Sequence, residues 1–155
     1  MLELSLEPVS EPGPRSIIYA ALDELARRYG PGADAAQLDP EEMEPPRGAF
    51  LVARDAGHLV GGVGLRSIAL TPRRVGEVKR LWVRPDRRRQ GVAQALMTRL
   101  VDVARELGFA ELFLETGHAQ PEALAFYRAT GWARVNALPE GAFSYPEAAR
   151  FFLAL

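Results

Sequence analysis

Apolar and polar positions alternate from the first residues: Leu2, Leu4 and Leu6 are separated by Glu3, Ser5 and Glu7. A period of two predicts an edge or half-buried strand, and Pro12-Gly13-Pro14 ends it. The period then lengthens. Ile18, Leu22, Leu25 and Tyr29 recur at helical spacing, so a helix is expected from a Ser16 cap to Tyr29, where Gly30-Pro31-Gly32 stops it. A short helix or turn around Ala33–Leu38 is expected next. An acidic, proline-containing and mobile loop from Asp39 to Arg47 follows it.

Residues 49–54 predict a strand, Asp55-Ala56-Gly57 a hairpin turn and His58–Leu70 the return strand. Gly61, Gly62 and Gly64 in the return strand predict a bulge or a close backbone approach. After a basic turn at Thr71–Val75, Gly76–Val83 predicts another strand, ending before Arg84-Pro85-Asp86. The strongest helical pattern runs from Gly91 to Leu107, with Ala93, Leu96, Met97, Leu100, Val103 and Ala104 on one side and Gly108 at the end. A strand at Ala110–Glu115 and a helix at Pro121–Thr130, opened by proline and closed by Gly131, come next. Strands at Trp132–Val135 and Ala149–Leu155, either side of the irregular stretch Asn136–Pro146, complete the pattern.

Composition narrows the chemistry. A chain of 155 residues, 48% hydrophobic, suits one α/β or α+β domain over residues 1–155. The absence of cysteine excludes disulfides, a thiolate nucleophile and Cys-ligated metal sites. The two histidines, His58 and His118, are far apart, so no metal centre is expected. The amino terminus carries acids where a secretory signal needs a basic flank, and no apolar run approaches a membrane span. A soluble, cytoplasmic protein with no membrane partner is expected.

Charge is divided along the chain. Residues 1–50 hold ten acidic and four basic side chains, whereas seven arginines and Lys79 fall between Arg73 and Arg89. Nucleic-acid binding is not expected, because the total charge is near neutral and no recognition motif is present. A focused site for a phosphorylated small molecule fits better. Within that stretch, Leu81-Trp82-Val83 leads through Arg84–Gln90 to Gly91-Val92-Ala93 and a helix. The first amides of a helix lack internal partners and attract phosphate. Gly91 lets the backbone approach a pyrophosphate, Ala93 is small enough not to obstruct it, and Arg88 and Arg89 can add charge-assisted contacts. The alternative is a solvent-facing basic turn. The lysine-containing loop of nucleoside triphosphatases and the dinucleotide GxGxxG are both absent.

Gly76–Ala93, the following helix and strand, and the block Ala123-Leu124-Ala125-Phe126-Tyr127-Arg128-Ala129-Thr130-Gly131-Trp132 together resemble the GCN5-related N-acetyltransferase (GNAT) superfamily. Its pyrophosphate motif falls on Arg88, Gly91 and Ala93, and the core motifs span residues 76–132. The resemblance implies an α+β, three-layer α/β/α fold whose mixed, mostly antiparallel sheet splays at the acyl-CoA site. It implies acetyl-CoA as the acetyl donor, bound by Leu81, Trp82 and Val83 along the splayed strand and by Arg88, Arg89, Gln90, Gly91, Val92 and Ala93 at the pyrophosphate. Gln120 stands where the family often has asparagine.

Acetyl transfer needs a neutral amine, although a free alkyl amine has a pKa of about 10.4. Glu77 matches a position where some family members place the general base; the alternative is a partly exposed strand residue paired with Arg66 or Lys79. Tyr127 resembles the family's general acid toward the departing thiolate; the alternative is helix packing. Val83 would offer its N–H to the oxyanion. His118 and Tyr145 are weaker candidates for the acceptor cleft. Without cysteine, direct ternary-complex transfer is favoured over an acyl-enzyme. Asp39, Glu41, Glu42 and Glu44 would favour a cationic amine, as a small molecule or a peptide. A regulatory module that binds acyl-CoA without turnover is the rival function, and a homodimer is compatible with the class.

Overall fold

The computed structural model describes residues 1–30, 40–116, 121–142 and 148–155. Its strands are β1 (Leu2–Leu6), β2 (Ala49–Asp55), β3 (His58–Ala69), β4 (Val75–Val83), β5 (Glu111–Thr116), β6 (Ala133–Val135) and β7 (Ala149–Ala154). Among the described residues they form one seven-stranded sheet in the order β1-β2-β3-β4-β5-β7-β6. Only β4 and β5 pair in parallel. The helices are α1 (Pro12–Tyr29), α2 (Val92–Glu106) and α3 (Pro121–Ala129). This is the expected three-layer α+β architecture around a mixed, mostly antiparallel sheet.

Strand β2 is buried continuously from Ala49 to Ala53, as a strand covered on both faces must be. Its alternate side chains feed two cores. Leu51 and Ala53 pack with Leu96, Met97 and Leu100 of α2, whereas Phe50 and Val52 pack with Ile17 of α1, Val9 and Met43. Helices α1 and α2 therefore lie on opposite faces of the sheet. Leu96 and Leu100 are fully buried, and each such side chain contributes about 1.5–3 kcal/mol.

Helix α1 departs from the expected pattern. It begins at Pro12 with Glu11 as an extended N-cap, and Ser16 lies inside it. Proline fits the first turn because those positions have no intrahelical acceptor to lose, so the prolines open the helix. The buried face is centred on Ile17 and Ala21, while Ile18, Leu22 and Leu25 are only half-buried. The expected stripe is therefore rotated by one residue. The side chain of Tyr29 and the segment Ala33–Leu38 lie outside the described residues.

The acidic stretch also differs from the loop expected there. Pro40–Met43 forms a 3-10 turn, and Met43 is 1% exposed. Its sulfur occupies the space that a Cβ on Gly64 would need. The side-chain vacancy on β3 thus anchors this segment to the sheet.

Strand β4 pairs with β5 only at Val75, Gly76 and Glu77. Beyond Glu77 the two strands have no shared ladder. A bulge bends β4 at the same level: Gly62 faces Trp82 and Gly64 faces Lys79, so β4 carries one extra residue. Arg80 absorbs it with a φ of 60°. Bulges bend and twist the strand that carries them. The expected close approach is met at Gly61, where a Cβ would stand 2.8 Å from the Trp82 carbonyl oxygen. Among the described residues no helix is long and apolar enough to cross a membrane.

Candidate active site

Where β4 and β5 diverge, a cleft of about 200 Å³ opens. Its walls are Val78–Trp82 of β4, Leu114–Thr116 of β5, Tyr127 of α3 and the Ala21, Glu24, Leu25 and Arg28 side of α1. The half-buried α1 residue Leu25 thus faces the cleft rather than a core. Past Glu77 β5 supplies no ladder partner to β4, whose other edge along this wall is laddered with β3.

Tyr127 is 6% exposed. Its ring packs against Phe151 at 5.0 Å and edge-on to Trp132 at 6.0 Å. Burial pushes its phenol up to about 12, so near neutral pH it is a hydrogen-bond donor. The helix packing expected as the alternative is present, and Tyr127 also lines the cleft.

Glu77 is 1% exposed. Its carboxylate accepts the Arg66 Nε–H at 3.2 Å and lies 3.7 Å from the Lys79 ammonium. Arg66 stands opposite Glu77 in the β3–β4 register, which explains both the pairing and the burial. The pairing expected from sequence is present, but the partial exposure is not. Arg66 also donates to Glu42 at 2.9 Å and to the Gly141 carbonyl at 2.5 Å. One buried guanidinium thus ties β4 to the 3-10 turn and to the segment after β6. Lys79, not Glu77, lines the cleft.

The acidic segment is less available than its sequence implies. Glu42 is held by Arg66, and Glu44 accepts the Val9 N–H at 3.0 Å. Asp39, Gln120, His118 and Tyr145 lie outside the described residues.

The arginine cluster disperses in three dimensions. Arg73 pairs with Glu111, Arg74 lies over the Phe109 ring and Arg80 occupies the bulge. Arg84 pairs with Asp86, and Arg87 with Asp55 and Gln90. Arg88 donates through Nε to the Val83 carbonyl and through Nη2 to Glu24, both at 2.8 Å. Arg89 is exposed, with a φ of 62°, and has no side-chain partner among the described residues.

Gly91 caps α2 in the left-handed conformation, φ 84°. The first turn of α2 contains no acid. Nothing lies within 4 Å of where a Gly91 Cβ would stand, and no side chain caps the helix start. Val92 is buried and fixes the helix start, while Ala93 is half-buried. An uncapped, acid-free helix start of this kind can take an anion, and Arg89 lies two residues before it in the chain.

The sequence did not point to Glu24, Arg28 or the Glu115–Arg150 pair, 2.9 Å apart, around the cleft. A helical-face count places Ala21, Glu24, Leu25 and Arg28 together. Only the fold shows that this side meets β4.

Residues 18–132 match the model of the Acetyltransferase (GNAT) family. The chain is 38% identical over 120 residues to an IAA acetyltransferase from Azospirillum brasilense, covering 75% of this chain and 76% of that one. It is 30% identical over 126 residues to human N-acetyltransferase 8, covering 72% of this chain but only 55% of that longer protein. Its fold matches a GNAT family acetyltransferase from Elizabethkingia anophelis, solved with acetyl-CoA bound. The TM-score is 0.67 at 16% identity, over 99% of this chain and 98% of that one.

Proposed function

The chain belongs to the GNAT acetyltransferase family, and from that premise we propose that it transfers acetyl from acetyl-CoA to a primary amine. The acceptor is a small molecule or peptide, and transfer is direct, within a ternary complex. The observation that carries this is the divergence of β4 and β5, which puts Trp82 and Tyr127 on one cleft. The acetyl-CoA bound to the Elizabethkingia protein of like fold supports the donor.

The residues present fit such a donor. The amides of Gly91, Val92 and Ala93 take the pyrophosphate at the open helix end, with Arg89 as the adjacent cation. The edge of Leu81–Val83 turned away from β3, where β5 supplies no ladder partner, runs along the pantetheine arm. Tyr127 donates a hydrogen bond to the departing thiolate sulfur. Glu77 is kept as the general base on its sequence position; its buried carboxylate, held by Arg66 and Lys79, lies behind the cleft wall and would take the amine proton only through a water relay. Gln120 is kept as a donor-binding residue on its sequence position.

The deciding experiment is acetyl-CoA consumption over a panel of aminoglycosides, polyamines, amino acids and peptide amino termini, with mass spectrometry of the products. One class gaining an acetyl group on nitrogen is expected. Tight CoA binding without turnover on any acceptor would instead favour an acyl-CoA-binding regulatory module.

A further inference from the structure

We infer that Arg88, at the first position of the phosphate-loop motif, is a positioning residue that braces α1 against the end of β4, and that Arg89 is the phosphate-facing cation. This rests on the acetyl-CoA site proposed above. The two neighbouring arginines differ in everything but charge. Arg88 spends Nε on the Val83 carbonyl and Nη2 on Glu24, so its planar fork is engaged at both ends. Glu24 is a wall of the cleft, and Arg28 one turn later lies 3.9 Å from the same carboxylate. The Arg88 guanidinium therefore bridges the end of the splayed strand and the helix facing it. Arg89, by contrast, is held by its left-handed backbone at the mouth of the loop, two residues before the open helix end.

Turning Arg88 toward a phosphate would break two hydrogen bonds and leave the Glu24 carboxylate facing an incoming polyanion. Leaving it in place neutralises Glu24 and holds the distance between α1 and β4. The brace sets the width of the cleft at Trp82, which lies on the same wall.

The test combines melting of the unliganded protein, Trp82 quenching and calorimetric titration with CoA. Glu24→Gln should lower Tm by about 1–3 °C and Arg88→Gln by about 2–6 °C. The double variant should fall no further than Arg88→Gln alone. In a Trp132→Phe background, where Trp82 is the remaining one of two tryptophans, acrylamide quenching should rise in both Gln variants and be no larger in the double. Arg89→Gln should weaken CoA about tenfold and reduce the salt dependence of binding, as loss of a charge-assisted contact does. Arg88→Gln should change CoA affinity by less than about threefold.

Additive Tm losses, or quenching unmoved by either variant, would overturn the brace. A tenfold loss of CoA affinity in Arg88→Gln with none in Glu24→Gln would make Arg88 the phosphate ligand. If the wild-type protein fails to bind CoA, the acetyl-CoA site is what falls, and the melting and quenching cycles on the unliganded protein still decide the brace.

Discussion

Replacing Tyr127 by Phe isolates one hydroxyl. The ring keeps its contacts with Phe151 and Trp132, so Tm should move by no more than about 3 °C. The kinetic effect follows from the burial of the phenol, whose pKa is pushed up to about 12. A thiol like that of cysteine has a pKa near 8.5, so complete proton transfer from Tyr127 to a thiolate is uphill by about 5 kcal/mol. In the proposed reaction Tyr127 would therefore stabilise the leaving sulfur through a hydrogen bond and keep its proton. A hydrogen bond to a charged group contributes about 1.5–3 kcal/mol, which is roughly a 10- to 150-fold fall in kcat. The assay is initial-rate CoA release with an acceptor found in the panel, as a function of pH, alongside thermal melting. The KM for acetyl-CoA should stay within about twofold, because the hydroxyl acts only as charge develops on sulfur. Neither the wild type nor the variant should show an alkaline limb from this group below about pH 10. A kcat within twofold of wild type would refute the role. So would a limb at pH 8–9 that vanishes in the variant, because the phenol would then ionise in the working range.

Four further variants have expected outcomes. Gly91→Ala forces a side chain into a φ of 84°, at a cost of about 1–2 kcal/mol. Calorimetry should show weaker CoA binding and melting a Tm lowered by about 2–8 °C. Arg66→Met leaves Glu77 and Glu42 without the guanidinium they share; breaking a buried pair this way costs about 3–5 kcal/mol. The milder Glu42→Gln should raise acceptor KM while leaving acetyl-CoA KM within twofold, measured by steady-state kinetics. The Arg54 guanidinium holds the Glu7 carboxyl below its usual range, so the stability from this β1–β2 tie is present above the unfolded carboxyl's pKa and lost as pH falls through the lowered native value. Glu7→Gln should flatten the Tm-against-pH curve below about pH 5.

Most elements were legible from period and punctuation because their side chains report a local geometry. The alternation of Leu2, Leu4 and Leu6 gave β1, and the stripe from Leu96 to Ala104 gave α2, each within a residue or two. The start of α1 was misplaced because Pro12-Gly13-Pro14 breaks a strand and opens a helix equally well; packing of Ile17 on β2 and β3 chose the second. Met43 looked like part of a mobile loop because its anchor is a missing side chain, Gly64, on a strand distant in sequence.

The candidate site divides along the same line. The sequence alone determined that Gly91 precedes an acid-free helix start, a local property of one contiguous stretch, and that Tyr127 stands in a helix closed by Gly131-Trp132. Only the tertiary structure decided which charges remain available there. The ion pairs that decide this join residues brought together by strand register and helix crossing, not by spacing. Arg66 took Glu77 and Glu42, Glu24 took Arg88, and Arg89 was left at the mouth of the loop.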